Sequence, residues 1–196
     1  GSSKIYKITP SDVVTDITPA FSPAEGYRVE LAIAPSTVGN LLTIYAVCTD
    51  GNVPTGGTSD ILWFKKSTNA GTSWTDVTVP KYGTKSFTYG SGAQGGYDLT
   101  MAVHPTNPNL VIVGGVTNGR TIDGGITWNV SNYGADLHPD LHNIIFDPNN
   151  YNQVLIGSDG GLALSTTYGD AATPSVSPNN FSPRIKGYRV TEFYKM

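Results

Sequence analysis

STNAGTSW at residues 67–74 and TIDGGITW at residues 121–128 share, at matching offsets, a hydroxyl residue, then Asn or Asp, then Gly, then a second hydroxyl and Trp. A third copy, with Ser165, Thr167 and Gly169, has lost both the acid and the Trp. Asn69 and Asp123 are the types that accept hydrogen bonds from backbone N–H groups two residues on and so close a turn; Gly71 and Gly125 supply the positive φ that other residues tolerate poorly. Ser67 and Thr121 add hydroxyl caps to the same turn. Trp74 and Trp128 then start a strand, each with an apolar body to bury and one N–H to satisfy. Every residue of the pattern has a folding task, so the pattern is read as structural.

A second repeat runs in step with the first. GYRVELAIAP (26–35), GYDLTMAVHP (96–105) and LHNIIFDP (141–148) each carry a strand-like apolar run into Pro. A short Asn-bearing turn follows, then a second apolar run: LLTIYAVC (41–48), NLVIVGG (109–115) and QVLIGS (153–158). Such periodicity is the mark of a repeat architecture. The implied unit is strand, Pro and Asn turn, strand, strand, hairpin, strand.

The eight-residue pattern resembles the Asp-box (BNR) repeat, which implies a hairpin between the two outer strands of a β-propeller blade. The expected fold is therefore all-β, with four-stranded antiparallel blades, about three of them whole and others partial. Residues 4–19 read as the outer strands of one blade, 26–80, 96–131 and 138–181 as blades, and 187–196 as the first strand of a following one. The longer first interval carries insertions at 50–60 and 82–96, and Gly-rich loops on a rigid scaffold are places where binding surfaces are built. Self-contained propellers close with about four to eight blades. The chain is thus expected to be part of a longer protein, completed by its remaining blades or by another copy, and Gly1-Ser2-Ser3 reads as a non-native addition.

Composition narrows the function. A formal net charge of −3 and 14% charged residues give no basic stripe, which disfavours nucleic acid as a partner. No apolar run approaches the roughly 18 residues that span a bilayer. Cys48, the single cysteine, falls in an apolar strand and reads as a buried thiol. Low charge with abundant Thr, Asn, Gly and Tyr resembles bacterial secreted or cell-surface proteins.

The densest polar cluster is ADLHPDLHNIIFDP (135–148), with two of the three histidines. If 138–142 is extended, His138, Asp140 and His142 share one face; they are candidates for ligand contact, and for a metal although a fourth ligand is missing. No cofactor is implied. Tyr82, Phe87, Tyr89 and Tyr97 gather around the second insertion, where Tyr89 and Tyr97 are candidate platforms for sugar faces and a lid over the blade is the alternative. Asp50 and Asp60 lack the dense oxygen spacing of a calcium loop.

Joined with QVLIGSDGGLALS (153–165), the cluster resembles secreted Asp-box propellers, in the matching positions His138, Asp140, His142, Asp147, Pro148, Asn149, Asp159, Gly160, Gly161, Phe193 and Tyr194. The likeness reaches toward xyloglucanase-type glycoside hydrolases and the sortilin receptor domain. It implies a carbohydrate-directed protein acting on polysaccharide or glycan, or else a peptide-binding scaffold or a structural module of a surface protein. For hydrolysis a carboxylate pair is needed, and Asp98, Asp140 and Asp159 are the candidates, with Asp136 also placed near a strand start. A sialidase is disfavoured: only Arg28, Arg120, Arg184 and Arg189 are present, without the Arg-Ile-Pro motif.

Overall fold

The computed structural model describes residues 3–20, 26, 28–50, 57–131, 137–173, 175–178 and 180–184. The segment 187–196, expected as the first strand of a following blade, lies outside them, as does Asp136.

Sixteen short strands carry the described fold: β1 (Tyr6–Ile8), β2 (Val14–Asp16), β3 (Arg28–Ile33), β4 (Ile44–Thr49), β5 (Ile61–Ser67), β6 (Thr75–Asp76), β7 (Lys81–Tyr82), β8 (Lys85–Ser86), β9 (Thr100–Val103), β10 (Val111–Gly114), β11 (Asn118–Thr121), β12 (Asn129–Val130), β13 (Leu141–Asp147), β14 (Asn150–Ser158), β15 (Gly161–Ser165) and β16 (Ser182–Pro183). Twelve of them form three antiparallel sheets in the consecutive orders β3-β4-β5-β6, β9-β10-β11-β12 and β13-β14-β15-β16. The chain is all-β, and these sheets are propeller blades. β16 lies just past the expected end of the third blade at 181.

Each blade packs face to face on the next through apolar residues at alternate strand positions. Ala32, Ala34, Tyr45, Val47 and Phe64 of the first blade meet Met101, Val103, Val111 and Val113 of the second in one buried cluster. Leu110 and Ile112 of the second meet Ile144, Phe146, Val154 and Ile156 of the third in another. Cys48 is buried and outside any disulfide, and burial, with Asp50 adding to it, pushes its thiol up to about 11.

The two turn motifs are built alike. Ser67 Oγ accepts the Gly71 N–H at 2.9 Å, and Asn69 Oδ1 accepts the Ser73 N–H at 2.9 Å. Thr121 Oγ1 accepts the Gly125 N–H at 3.0 Å, while Asp123 Oδ1 accepts those of Ile126 and Thr127, both at 3.0 Å. The acid or amide therefore reaches three and four residues on, not two. The shorter reach is taken by the hydroxyl, because two successive positive-φ residues, Ala70 and Gly71 in one copy and Gly124 and Gly125 in the other, coil the turn inward. In the decayed copy Ser165 Oγ still accepts the Tyr168 N–H at 3.1 Å.

Each motif also fastens its blade to the one before. A Cβ on Gly125 would strike Val77, and one on Gly71 would strike Ile17. Trp74 donates from Nε1 to the Ile17 carbonyl at 2.9 Å, and Trp128 lies against Phe64 with ring centroids 5.8 Å apart. Both indoles are half-buried.

Burial opposes ionisation of Asp123, but hydrogen bonds from Thr127, Thr121 and Ile126 outweigh it and hold the carboxyl at about 2. Asp123→Ala is expected to cost about 1–3 kcal/mol near neutral pH by leaving turn amides unsatisfied. Because its folded value lies below the ordinary one, this stabilisation is present above about pH 4 and lost as pH falls through about 2. Denaturant melts of both proteins at pH 7 and pH 2.5 check this; a wild-type midpoint in the variant at pH 7 would refute it.

Candidate functional site

Because every blade repeats one strand order, the inner strands β3, β9 and β13 all start at the same end of the fold. The strand-to-strand loops between β4 and β5 and between β14 and β15 open at that end too. The turn motifs lie at the other. One face therefore collects Arg28, Asp60, Asp98, Asp140, His142 and Asp159 from well-separated parts of the chain.

The connection is direct. Arg28 Nη1 donates to the Tyr97 carbonyl at 2.9 Å and Nη2 to that of Leu99 at 2.6 Å, so the start of β3 is tied to the start of β9. Gln94 Nε2 donates to Asp140 Oδ1 at 3.2 Å. The second insertion thereby reaches the third blade. Asp60 is buried and braces this insertion, one oxygen accepting from the Thr88 hydroxyl and the other, at 2.8 Å, from the Gly95 N–H.

Asp98 is the most unusual group. Its side chain is 0% exposed, and among the described residues no N–H or hydroxyl donor reaches either oxygen, which leaves the adjoining Asp140 carboxyl as the group that can share its proton. Burial first, and then the adjoining Asp140 side chain, push its carboxyl up to about 8. It therefore holds a proton at neutral pH. A neutral carboxyl in a water-poor site can donate, which a carboxylate cannot.

Asp140 has φ of 64° and β13 begins only at Leu141, so 138–142 is not an extended strand. The turn at Asp140 breaks the expected single face of His138, Asp140 and His142. Among the described residues no group of three His, Cys, Asp or Glu side chains is placed to hold a metal ion. His138 instead lies flat against Gly160, where a Cβ would sit 2.4 Å from its ring, and Nδ1 is 2.9 Å from the Pro139 carbonyl.

His142 takes a different partner. Its Nε2 is 2.6 Å from Asp159 Oδ1, and its ring meets Tyr97 edge-on at 4.9 Å. Tyr97 Oη donates to the same Asp159 oxygen at 3.4 Å and the ring remains 50% exposed. Beside the pair is a cleft of about 520 Å³ lined by His142, Ser158, Asp159, Leu162 and Arg184.

The four aromatic residues of the second insertion separate. Phe87 is fully buried in the core between the first two blades. Tyr89 is half-buried with Lys85 Nζ 5.2 Å from its ring centre, and Tyr82 is exposed. Of the four, Tyr97 joins the acidic cluster.

Gln94, Arg28 and Arg184 belong to this face although no sequence motif marks them as site residues. Their signal is tertiary: Gln94 lies inside an insertion, and the two arginines read in sequence only as members of an absent sialidase cluster.

No protein-family model matches this chain, and neither does any curated protein. Among solved structures it is similar to an ancestral GH74 enzyme, at 16% identity and a TM-score of 0.46, over 86% of this chain and 22% of that one. The chain thus spans less than a quarter of that protein's length. Among the described residues, no helix is long and apolar enough to cross a membrane.

Proposed function

We propose that this chain is part of a carbohydrate-directed Asp-box propeller that binds a polysaccharide or glycan on the face where its inner strands begin. The observation that carries the reading is the cluster of Tyr97, His142 and Asp159: an exposed ring held edge-on by a histidine, with a carboxylate beside it at the rim of a cleft. An aromatic face takes the C–H face of a sugar, and charged acceptors take its hydroxyls.

The candidate catalytic acids divide between two roles. Asp159 is exposed and available to a ligand; Asp98 is buried and adjoins Asp140. A buried Asp98 and an exposed Asp159 held by His142 and Tyr97 support binding as the role of the face. A bacterial secreted or cell-surface setting accompanies the reading on composition alone.

Calorimetric titration with xyloglucan and cello-oligosaccharides is the test. Saturable binding is expected, weakened about tenfold, or 1.4 kcal/mol, by Tyr97→Ala, and weakened also by Asp159→Asn, with both variants melting near the wild-type temperature. Binding untouched by either substitution would place the site elsewhere. Binding of extended peptides but of no glycan would favour a sortilin-like scaffold.

A further inference from the structure

Equivalent positions in the three blades do not share the same burial. Met101 and Val103 on β9 are 7% and 6% exposed, and Ile144 and Phe146 on β13 are 6% and 9%, because each pair lies against the preceding blade. Their counterparts on β3, Leu31 and Ile33, are 44% and 54% exposed. The same face is covered further out. Ala46 and Cys48 on β4 and Trp63 on β5 are buried in a cluster with Ile5, against which Ile17 also packs.

The hairpin β1-β2 is what covers them, and it occupies the place of two outer blade strands. Ile17 follows β2 as Val77 follows β6, and each receives the glycine of the next blade's turn motif, Gly71 on Ile17 and Gly125 on Val77. β1 pairs only with β2 among the described strands. Tyr6 and Ile8 on β1 are 54% and 65% exposed. An open strand edge beside an uncovered apolar strip is a surface that proteins normally pair or protect.

We infer that the Leu31 and Ile33 face of β3, together with the open edge of β1, is a docking surface for two further antiparallel strands of the same propeller, the inner half of the blade to which β1 and β2 belong. The established interface specifies their chemistry. Where the first blade covers Met101 and Val103, it does so with Ala32 on the innermost strand and Ala34 just after it, and with Tyr45 and Val47 on the next strand. The occupant of the β3 face is accordingly a strand pair with small side chains nearest the axis and Tyr- or Val-sized ones beside them, its outer strand hydrogen-bonded to β1 by edge addition. This inference is independent of the glycan reading.

A fusion tests it. A second copy of residues 28–60, which contains such a strand pair and its outgoing loop, is placed directly ahead of Lys4 in the full chain. The fusion is expected to melt roughly 5 °C or more above the parent, and Leu31→Glu with Ile33→Glu in the original copy is expected to abolish the gain. In the parent the same double substitution should leave Tm within about 2 °C, since about half of each residue is already in water. A fusion that melts with the parent and whose added strands are cut by protease at once would overturn the proposal, and so would a large loss of Tm in the doubly substituted parent. Light scattering supplies the remaining arm: a parent that dimerises with concentration and becomes monomeric on the double substitution has a second copy as occupant, which also refutes it.

Discussion

Arg120→Ala is expected to lower stability by about 3 kcal/mol or more, a larger loss than that of Asp123→Ala, because several buried carbonyls lose a charged donor at once. The side chain is 1% exposed on β11 and reaches out of the second blade into the loop after β15. Its Nε donates to the Tyr168 carbonyl at 2.8 Å, and Nη2 donates to those of Asp170 and Thr173. Its guanidinium carbon lies 6.0 Å from the centre of the Tyr168 ring. Truncation removes the donors and leaves several carbonyls without partners, along with a cavity the size of the side chain. Arg120→Lys should recover little, because one ammonium cannot reproduce a planar fork aimed at separate acceptors. Urea denaturation followed by tryptophan fluorescence measures the loss. A midpoint shift equivalent to less than about 1 kcal/mol would show that the loop closes on the blade without the guanidinium.

Asp98 gives the second large effect, and its sign is opposite to that of Asp123. The carboxyl titrates at about 8 in the folded chain because of burial and then the adjoining Asp140, against about 4 when unfolded. A raised folded value favours the fold while the group is protonated in both states. That contribution is complete below about pH 4, declines as the unfolded chain ionises, and is gone once pH passes about 8. Asp98→Asn removes the titration while keeping a neutral group of the same shape. The difference in unfolding free energy, variant minus wild type, should rise by on the order of 2 kcal/mol or more between pH 4 and pH 8.5. A difference that stays flat over that range would mean that Asp98 ionises in the folded protein as it does in water.

The fold is legible in the sequence because its signals are local. The turn motif closes within eight residues, and the side-chain hydrogen bonds that close its turn join positions at most four apart. Pro35, Pro105 and Pro148 each end or follow an inner strand and precede a turn into the next strand, so strand order follows from the spacing of the repeats. The departures from the sequence reading are local too. The acid reaches further than its residue type suggests, since two consecutive left-handed residues are not visible in the letters STNAGTSW. The His-Pro-Asp-Leu-His segment has the letters of an extended strand, yet Asp140 turns it by adopting a left-handed conformation that few other residues would tolerate.

What the sequence alone determined is the repeating unit: four strands, a hydroxyl-and-acid turn, and an indole at the start of the last strand, all set by interactions between near neighbours. What only the tertiary structure decided is which of those units' ends meet. His142 could have paired with any acid, and it pairs with Asp159 because β13 and the loop after β14 open at one end of the fold. Asp98 and Asp140 sit 42 residues apart in the chain and adjoin because consecutive blades pack side by side. Leu31 and Met101 occupy the same apolar position of the repeat, yet one is 44% exposed and the other 7%. Their difference is the presence of a neighbouring sheet, a property of the assembly that no stretch of residues encodes by itself.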